Sequence, residues 1–195
     1  DLKICNIAKS NKIDFFRGEE KNVLKRMYDA AKKFNCNVVI RVTGDDILID
    51  PVYLDKLIKY HLDSNLEYSN NKELPGGTEV EIFNLDILKF LLNTIIDINN
   101  TEYLTFFIQE HLDQFTTGSL KVLKKHKSNK SLTIDTYEDY IFVKKFLKEM
   151  KKKNLKYEYT LDDIMKFLII NNKKKQKIKN SINVNTELKW EKILN

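Results

Sequence analysis

Apolar and polar positions along this chain follow two rhythms, one helical and one extended. Over residues 19–34, Val23, Leu24, Met27, Tyr28, Ala31 and Phe34 recur at helical spacing and predict an amphipathic helix. Glu19 and Glu20 fall in its first turn, where the helix dipole favours negative charge. The β-branched run Val38-Val39-Ile40-Arg41-Val42 follows and predicts a buried strand over 37–43, in the pattern of a central parallel strand. Pro51 behind Asp50 as cap predicts a helix to Asp63. A short strand is expected over 66–69, a polar loop over 71–77, and an alternating strand over 78–83 that puts Glu79 and Glu81 on one face.

Weaker patterns fill the remainder. Residues 2–11 have near-helical apolar spacing and 13–16 the look of a short strand. Helices are expected over 86–97 and 102–112, and extended segments over 120–123 and 132–134. A further helix is expected over 137–151, capped by Thr136 with Asp139 at its third position. Thr160 opens another helix to about Ile170, 171–185 resembles a linker, and 187–194 a short helix anchored by Trp190. Strand and helix alternate, so the predicted class is α/β with a mixed, mostly parallel sheet flanked by helices. The domain is placed at 1–153 and a helical extension at 154–195.

Composition narrows the setting. With 195 residues, 42% hydrophobic, the chain can bury a proper core. No apolar run approaches the roughly 18 residues of a membrane span, and the first residues do not form a secretory signal, so a cytoplasmic protein is expected. Cys5 and Cys36 are expected to be free, buried thiols. The net charge of +6 comes from lysines in scattered blocks, not from arginines interleaved with aromatics, and speaks against a nucleic-acid module. His61, His111 and His126 are isolated and expected to be structural or surface residues.

The chemistry is expected at strand ends. Val42-Thr43-Gly44-Asp45-Asp46 closes a strand with a glycine turn and two carboxylates, which suits a hard divalent cation. Mg²⁺ is usually bound by one or two carboxylates, with substrate phosphates and waters completing the shell. The segment 132–139 repeats the arrangement: a short extended stretch, Asp135 at its mouth, then a capped helix start.

These blocks resemble a known family. Phe16-Arg17-Gly18, the stretch from Val23 to Tyr28, Arg41-Val42-Thr43-Gly44-Asp45-Asp46, Tyr68-Ser69-Asn70, Gly77-Thr78-Glu79-Val80-Glu81 and Leu132-Thr133-Ile134-Asp135-Thr136-Tyr137-Glu138-Asp139 occur in the order seen in cytidylyltransferases typified by a spore coat polysaccharide biosynthesis protein. The resemblance implies a Rossmann-like, GT-A-type nucleotidyltransferase fold that uses CTP and Mg²⁺, with Mn²⁺ as a possible substitute, to activate a small anionic acceptor. It implies Asp45 and Asp135 as metal ligands and, with Arg17, as catalytic residues. Arg41, Thr43 and Gly44 would hold the nucleotide, and Arg26, Tyr68, Ser69, Asn70, Glu79 and Glu81 the acceptor. A homodimer is a further expectation of the resemblance.

The chain departs from the family's pattern in several places. Asp46-Ile47 stands where Cys-Pro is usual, Pro75-Gly76-Gly77-Thr78-Glu79 where P-D-G-L-D is usual, and Tyr103 where histidine is frequent. No match exists to the family's opening strand and basic, glycine-rich phosphate loop. On the order of 50 residues, the size of a βαβ unit, are therefore expected to be missing ahead of Asp1. The alternatives to a CTP-dependent enzyme are a GT-A glycosyltransferase using a nucleotide sugar and a non-catalytic pseudoenzyme subunit.

Overall fold

The structure, a computed structural model, describes residues 2–94, 107–108, 110–155 and 158–171. Its helices are α1 (Leu2–Ser10), α2 (Val23–Lys33), α3 (Pro51–Asp63), α4 (Leu85–Thr94), α5 (Tyr137–Lys152) and α6 (Leu161–Ile170). Its strands are β1 (Val38–Arg41), β2 (Tyr68–Asn70), β3 (Glu81–Asn84) and β4 (Thr117–Ser119). Among the described residues the strands form one open sheet in the order β1-β3-β2-β4. The ends of the helices expected over 86–97 and 102–112 lie wholly or largely outside the described residues, as do the linker and the terminal helix with Trp190.

Local chemistry explains where the helices start and stop. Asn22 caps α2 by accepting from the Lys25 amide, so the helix begins at Val23 and not at Glu19. Glu19 and Glu20 precede it, and their carbonyls instead receive Arg26 Nη1. Thr136 with Asp139, and Thr160 with Asp163, close reciprocal capping boxes on α5 and α6. Asparagines in the left-handed region, Asn35, Asn65 and Asn154, follow α2, α3 and α5. After α3, Leu66 N donates to His61 O and Asn65 N to Leu62 O, the paired bonds of a Schellman stop.

The sheet is mixed, as expected, with β2 antiparallel to β3 and parallel to β4; the 71–80 connection holds no helix, so β3 returns alongside β2 instead of crossing over. Other expectations are corrected by pairing. β1 is an edge strand in this sheet, half-buried instead of central, with Ile40 40% and Val42 47% exposed. Residues 13–16 form a loop, and 132–134 belong to no strand, following an isolated Gly76–Ser131 bridge. The strand sought over 120–123 is β4, three residues earlier. It runs through Gly118, where a Cβ would come 2.6 Å from both Leu66 Cδ1 and the Tyr60 hydroxyl.

The contacts of the chain divide into two units, one of Asp1–Val39, Leu85–His111 and Thr186–Asn195, the other of Ile40–Asn84 and Leu112–Asn185. In the first, α2 packs on α4, burying Leu24 and Ala31 with Ile87, Leu88 and Leu91. In the second, Leu48, Tyr53, Val143, Phe146, Leu161 and Phe167 belong to one apolar core. Residues on both sides of the boundary placed at 153 thus share that core. Cys5 is buried as expected, whereas Cys36 is exposed in the turn after α2.

Polar groups tie the second unit together. Tyr53 accepts from the Leu123 amide at 3.0 Å and bonds His126 Nδ1 at 2.8 Å, while His126 Nε2 meets Asp162 at 2.9 Å. Hydrogen bonds from Lys125 and then His126 pull the Asp162 carboxyl down to about 2. Burial pushes the Tyr68 and Tyr159 phenols up, Tyr68 further through the Glu81 charge and hydrogen bond. The depressed carboxyl contributes stability above its ordinary value of 3.8 that is lost as pH falls through about 2. The raised phenols contribute stability below their ordinary value of 10.0 that is lost as pH rises beyond it, because the unfolded chain ionises first. Urea midpoints measured against pH should therefore fall at both extremes, and Asp162→Asn should flatten the acid limb alone.

Candidate active site

The Gly44 turn is a tight one. Asp46 N donates to Thr43 O at 3.1 Å, and Thr43 Oγ1 donates to Asp46 Oδ2 at 2.6 Å. The other Asp46 oxygen, Oδ1, is buried without a hydrogen-bond partner. Gly44 lies exposed, with nothing within 4 Å of where a Cβ would stand and no left-handed φ. The fold therefore does not demand glycine there; what glycine leaves is open space above the backbone, where a bulky anion can come close.

The backbones that carry the two carboxylates expected to share a cation meet. Ile134 N donates to Asp45 O at 3.1 Å, so the strand-end turn and the residue preceding Asp135 are joined backbone to backbone across 89 positions, 134 less 45. Both Asp45 and Asp135 are exposed. Among the described residues no three His, Cys, Asp or Glu converge into a metal cage. The donor set fits a hard cation that takes one or two carboxylates and completes its shell with phosphates and water, as Mg²⁺ does, and not an all-protein site.

Gly77 holds the neighbouring 75–80 loop against the segment before Asp135. Its φ is +84°, and a Cβ would lie 2.5 Å from Thr133 N, so only glycine lets the 75–80 loop close on 131–133. Leu132 N donates to Gly76 O at 2.7 Å and Gly76 N to Lys130 O at 3.0 Å. Val80 N is held by the buried Asn71 side chain at 2.7 Å.

Other expected contacts are spent inside the protein. Arg41 Nη1 donates to Glu81 Oε2 at 2.8 Å and the Tyr68 hydroxyl to Glu81 Oε1 at 2.7 Å, so three expected ligand contacts are partners of one another across β1, β3 and β2. Ser69 is fully buried against His61 Nδ1 at 2.9 Å, and His61 Nε2 meets Asn84 Oδ1 at 3.0 Å. Asn70 accepts from Ser119 Oγ at 3.0 Å and the Lys72 amide at 3.2 Å. Strand pairing buries Tyr68 and Ser69, and their polar atoms bond to Glu81 and His61. Glu79 is half-buried. Replacing Arg41 by methionine would take the guanidinium from the Glu81 carboxylate; with the pair partly screened by solvent, we expect a loss of about 2 kcal/mol in urea unfolding, largely relieved by adding Glu81→Gln.

Arg17 and Arg26 lie in the first unit. With Ile4, Cys5, Phe15, Phe16, Gly18 and Glu20 they line a cleft of about 740 Å³. Arg26 is partly committed, donating to Glu19 O at 2.6 Å and Glu20 O at 3.0 Å. Phe15, Phe16 and Glu20 were not singled out from the sequence for a site; adjacent aromatics flanking Arg17 were the available signal.

A mixed α/β domain whose strand-end acidic turn meets a second acidic mouth has the architecture of a Rossmann-like nucleotidyltransferase. The chain belongs to the cytidylyltransferase family, whose profile matches residues 2–179. It is 32% identical over 143 residues to an uncharacterized protein of Methanocaldococcus jannaschii, covering 72% of this chain and 58% of that one. It is 30% identical over 131 residues to the spore coat polysaccharide biosynthesis protein SpsF of Bacillus subtilis, covering 66% of this chain and 55% of the relative. The chain thus spans little more than half the length of these two relatives. The structure of a cytidylyltransferase from Leptospira borgpetersenii superposes with a TM-score of 0.81 at 28% identity, over 91% of this chain and 74% of the other. No helix among the described residues is long and apolar enough to cross a membrane.

Proposed function

We propose that this protein transfers CMP from CTP to an oxygen of a small anionic acceptor, a sugar acid or a phosphorylated small molecule, in the supply of an activated precursor for a surface polysaccharide. The observation that supports this reading is the Ile134–Asp45 bond, which joins the backbones of two family-like blocks at the open Gly44 turn. The SpsF relative supports the pathway class. Asp45 and Asp135 would hold Mg²⁺, which supplies charge neutralisation on the nucleotide phosphates.

The rest falls to the chain. The Thr43–Asp46 turn presents its uncrowded backbone to the phosphates, and Arg17 offers a guanidinium to an anionic group. The acceptor oxygen attacks the α-phosphorus in line, forming a new O–P bond as the bond to pyrophosphate breaks and the acceptor's proton leaves to solvent. Catalysis is positioning plus charge neutralisation, and no protein nucleophile takes part. The test is pyrophosphate release with Mg²⁺, each of the common nucleoside triphosphates, and a panel of sugar acids and phosphorylated acceptors. Release that needs CTP, metal and acceptor together is expected. No release with any of the nucleotides, or turnover of a nucleotide sugar without pyrophosphate, would overturn the reading.

A further inference from the structure

Three successive amides pin the backbone around Asp135. Ile134 N donates to Asp45 O at 3.1 Å, Asp135 N to Asp139 Oδ2 at 3.3 Å, and Thr136 N to that same carboxylate oxygen at 3.0 Å. The Thr136 hydroxyl also donates to Asp139 Oδ2, at 2.9 Å. Asp139 is 3% exposed, whereas Asp135 is exposed. A buried carboxylate thus holds the main chain of an exposed one. A residue has only two soft backbone dihedrals, φ and ψ, and the peptide planes on either side of the Asp135 Cα are here anchored to one oxygen. Both dihedrals are therefore restrained.

Capping a helix does not require this. The Thr160–Asp163 box opens α6 with the same residue types at the same spacing, and its Asp163 Oδ2 accepts from Thr160 N and Thr160 Oγ1, both at 3.0 Å. Among the described residues Tyr159 N, the amide before that cap, makes no bond to Asp163. The box of α5 differs by reaching one residue further back, and that residue is Asp135. We propose that Asp139 is a positioning residue for the cation: by holding both peptide planes that flank the Asp135 Cα, it presets the direction in which the Asp135 carboxylate leaves the backbone. The cation then binds without first having to order its ligand. Asp139 acts through Asp135 alone. This inference rests on the reading of Asp135 as a ligand of the nucleotide's cation.

Mn²⁺ binding in the presence of CTP, read by electron paramagnetic resonance beside the melting temperature, tests it in wild type, Asp139→Ala, Asp139→Asn and Thr136→Ala. Asp139→Ala removes the shared acceptor and should weaken Mn²⁺ about tenfold, the low end for losing the partner behind a metal ligand. Asp139→Asn drops the charge but keeps an acceptor oxygen for the two amides, and should stay within about threefold of wild type. Thr136→Ala takes away the capping hydroxyl and leaves both amides on Asp139, so it should lower the melting temperature without moving the Mn²⁺ affinity. Asp139→Glu keeps the charge and suits a capping box, but sets its oxygens one methylene further out; it replaces Asp139→Ala if that variant does not fold, with the same loss expected. Affinity retained in Asp139→Ala or its replacement, or lost equally in Asp139→Asn or in Thr136→Ala, overturns the inference while leaving the cation reading intact. A wild type with no CTP-dependent Mn²⁺ site overturns that reading and the inference together.

Discussion

Asp45→Asn should lower CTP-dependent pyrophosphate release by about a thousandfold or more, while leaving the unfolding midpoint where it was. The fold depends on the Asp45 backbone, not on its side chain: the carbonyl accepts from Ile134 N, and the side chain is exposed. Asparagine keeps that carbonyl and nearly the same volume. It loses the negative charge that neutralises a divalent cation, and several kcal/mol of transition-state stabilisation correspond to a thousandfold or more in rate. Steady-state assays at saturating CTP, paired with urea unfolding of the same preparations, separate the two effects. A variant that keeps a tenth of the activity would remove Asp45 from the site, and one that unfolds early would make it structural.

The largest stability effect is expected one turn further on. Asp50 is 2% exposed, and its carboxylate caps two helices at once. Oδ1 accepts from Val52 N at 2.7 Å and Tyr53 N at 3.2 Å at the start of α3, while Oδ2 accepts from Leu161 N at 2.5 Å at the start of α6. The positive ends of two helix dipoles therefore converge on one buried charge. Asp50→Ala would leave these amides without an acceptor in the apolar region of Leu48, Tyr53 and Leu161. Summing the loss of two caps and the cost of burying unpaired donors gives about 3–5 kcal/mol, a large share of the stability of a domain this size. Asp50→Asn keeps one acceptor oxygen and should recover part of the loss. An Asp50→Ala midpoint within experimental error of wild type would contradict the double-cap account.

What the sequence disclosed was mainly local. The Pro51 start of α3 and the Thr136–Asp139 box of α5 could be read because capping is decided within four residues. The asparagine stops at Asn35, Asn65 and Asn154 were equally local signals of helix ends. The misplaced elements were those settled by distant partners. Residues 120–123 are more apolar than Thr117–Ser119, yet the shorter segment pairs with β2 because Gly118 fits beneath Tyr60 and Leu66. Phe15 and Phe16 suggested a strand from their type, whereas a strand would send consecutive rings to opposite faces and here both line one cleft.

The site divides the same way. Asp45 and Asp135 could each be picked from a strand-end pattern, and the resemblance linked them, but their adjacency rests on a single long-range backbone bond. Arg41, Tyr68 and Glu81 were equally plausible as ligand contacts, since nothing in the sequence reveals that a guanidinium and a phenol 27 positions apart, 68 less 41, converge on the same carboxylate. Side chains used to join strands look in sequence much like side chains waiting for a substrate.

The most direct test of the Asp45–Asp135 pair is Mn²⁺ binding, followed by electron paramagnetic resonance in the presence of CTP, for wild type, Asp45→Asn and Asp135→Asn. The account predicts one CTP-dependent Mn²⁺ site in wild type, weakened at least about tenfold in each single variant, with no further loss in the double variant beyond an unbound baseline. Wild-type affinity retained in both single variants would show that the two carboxylates do not hold the cation.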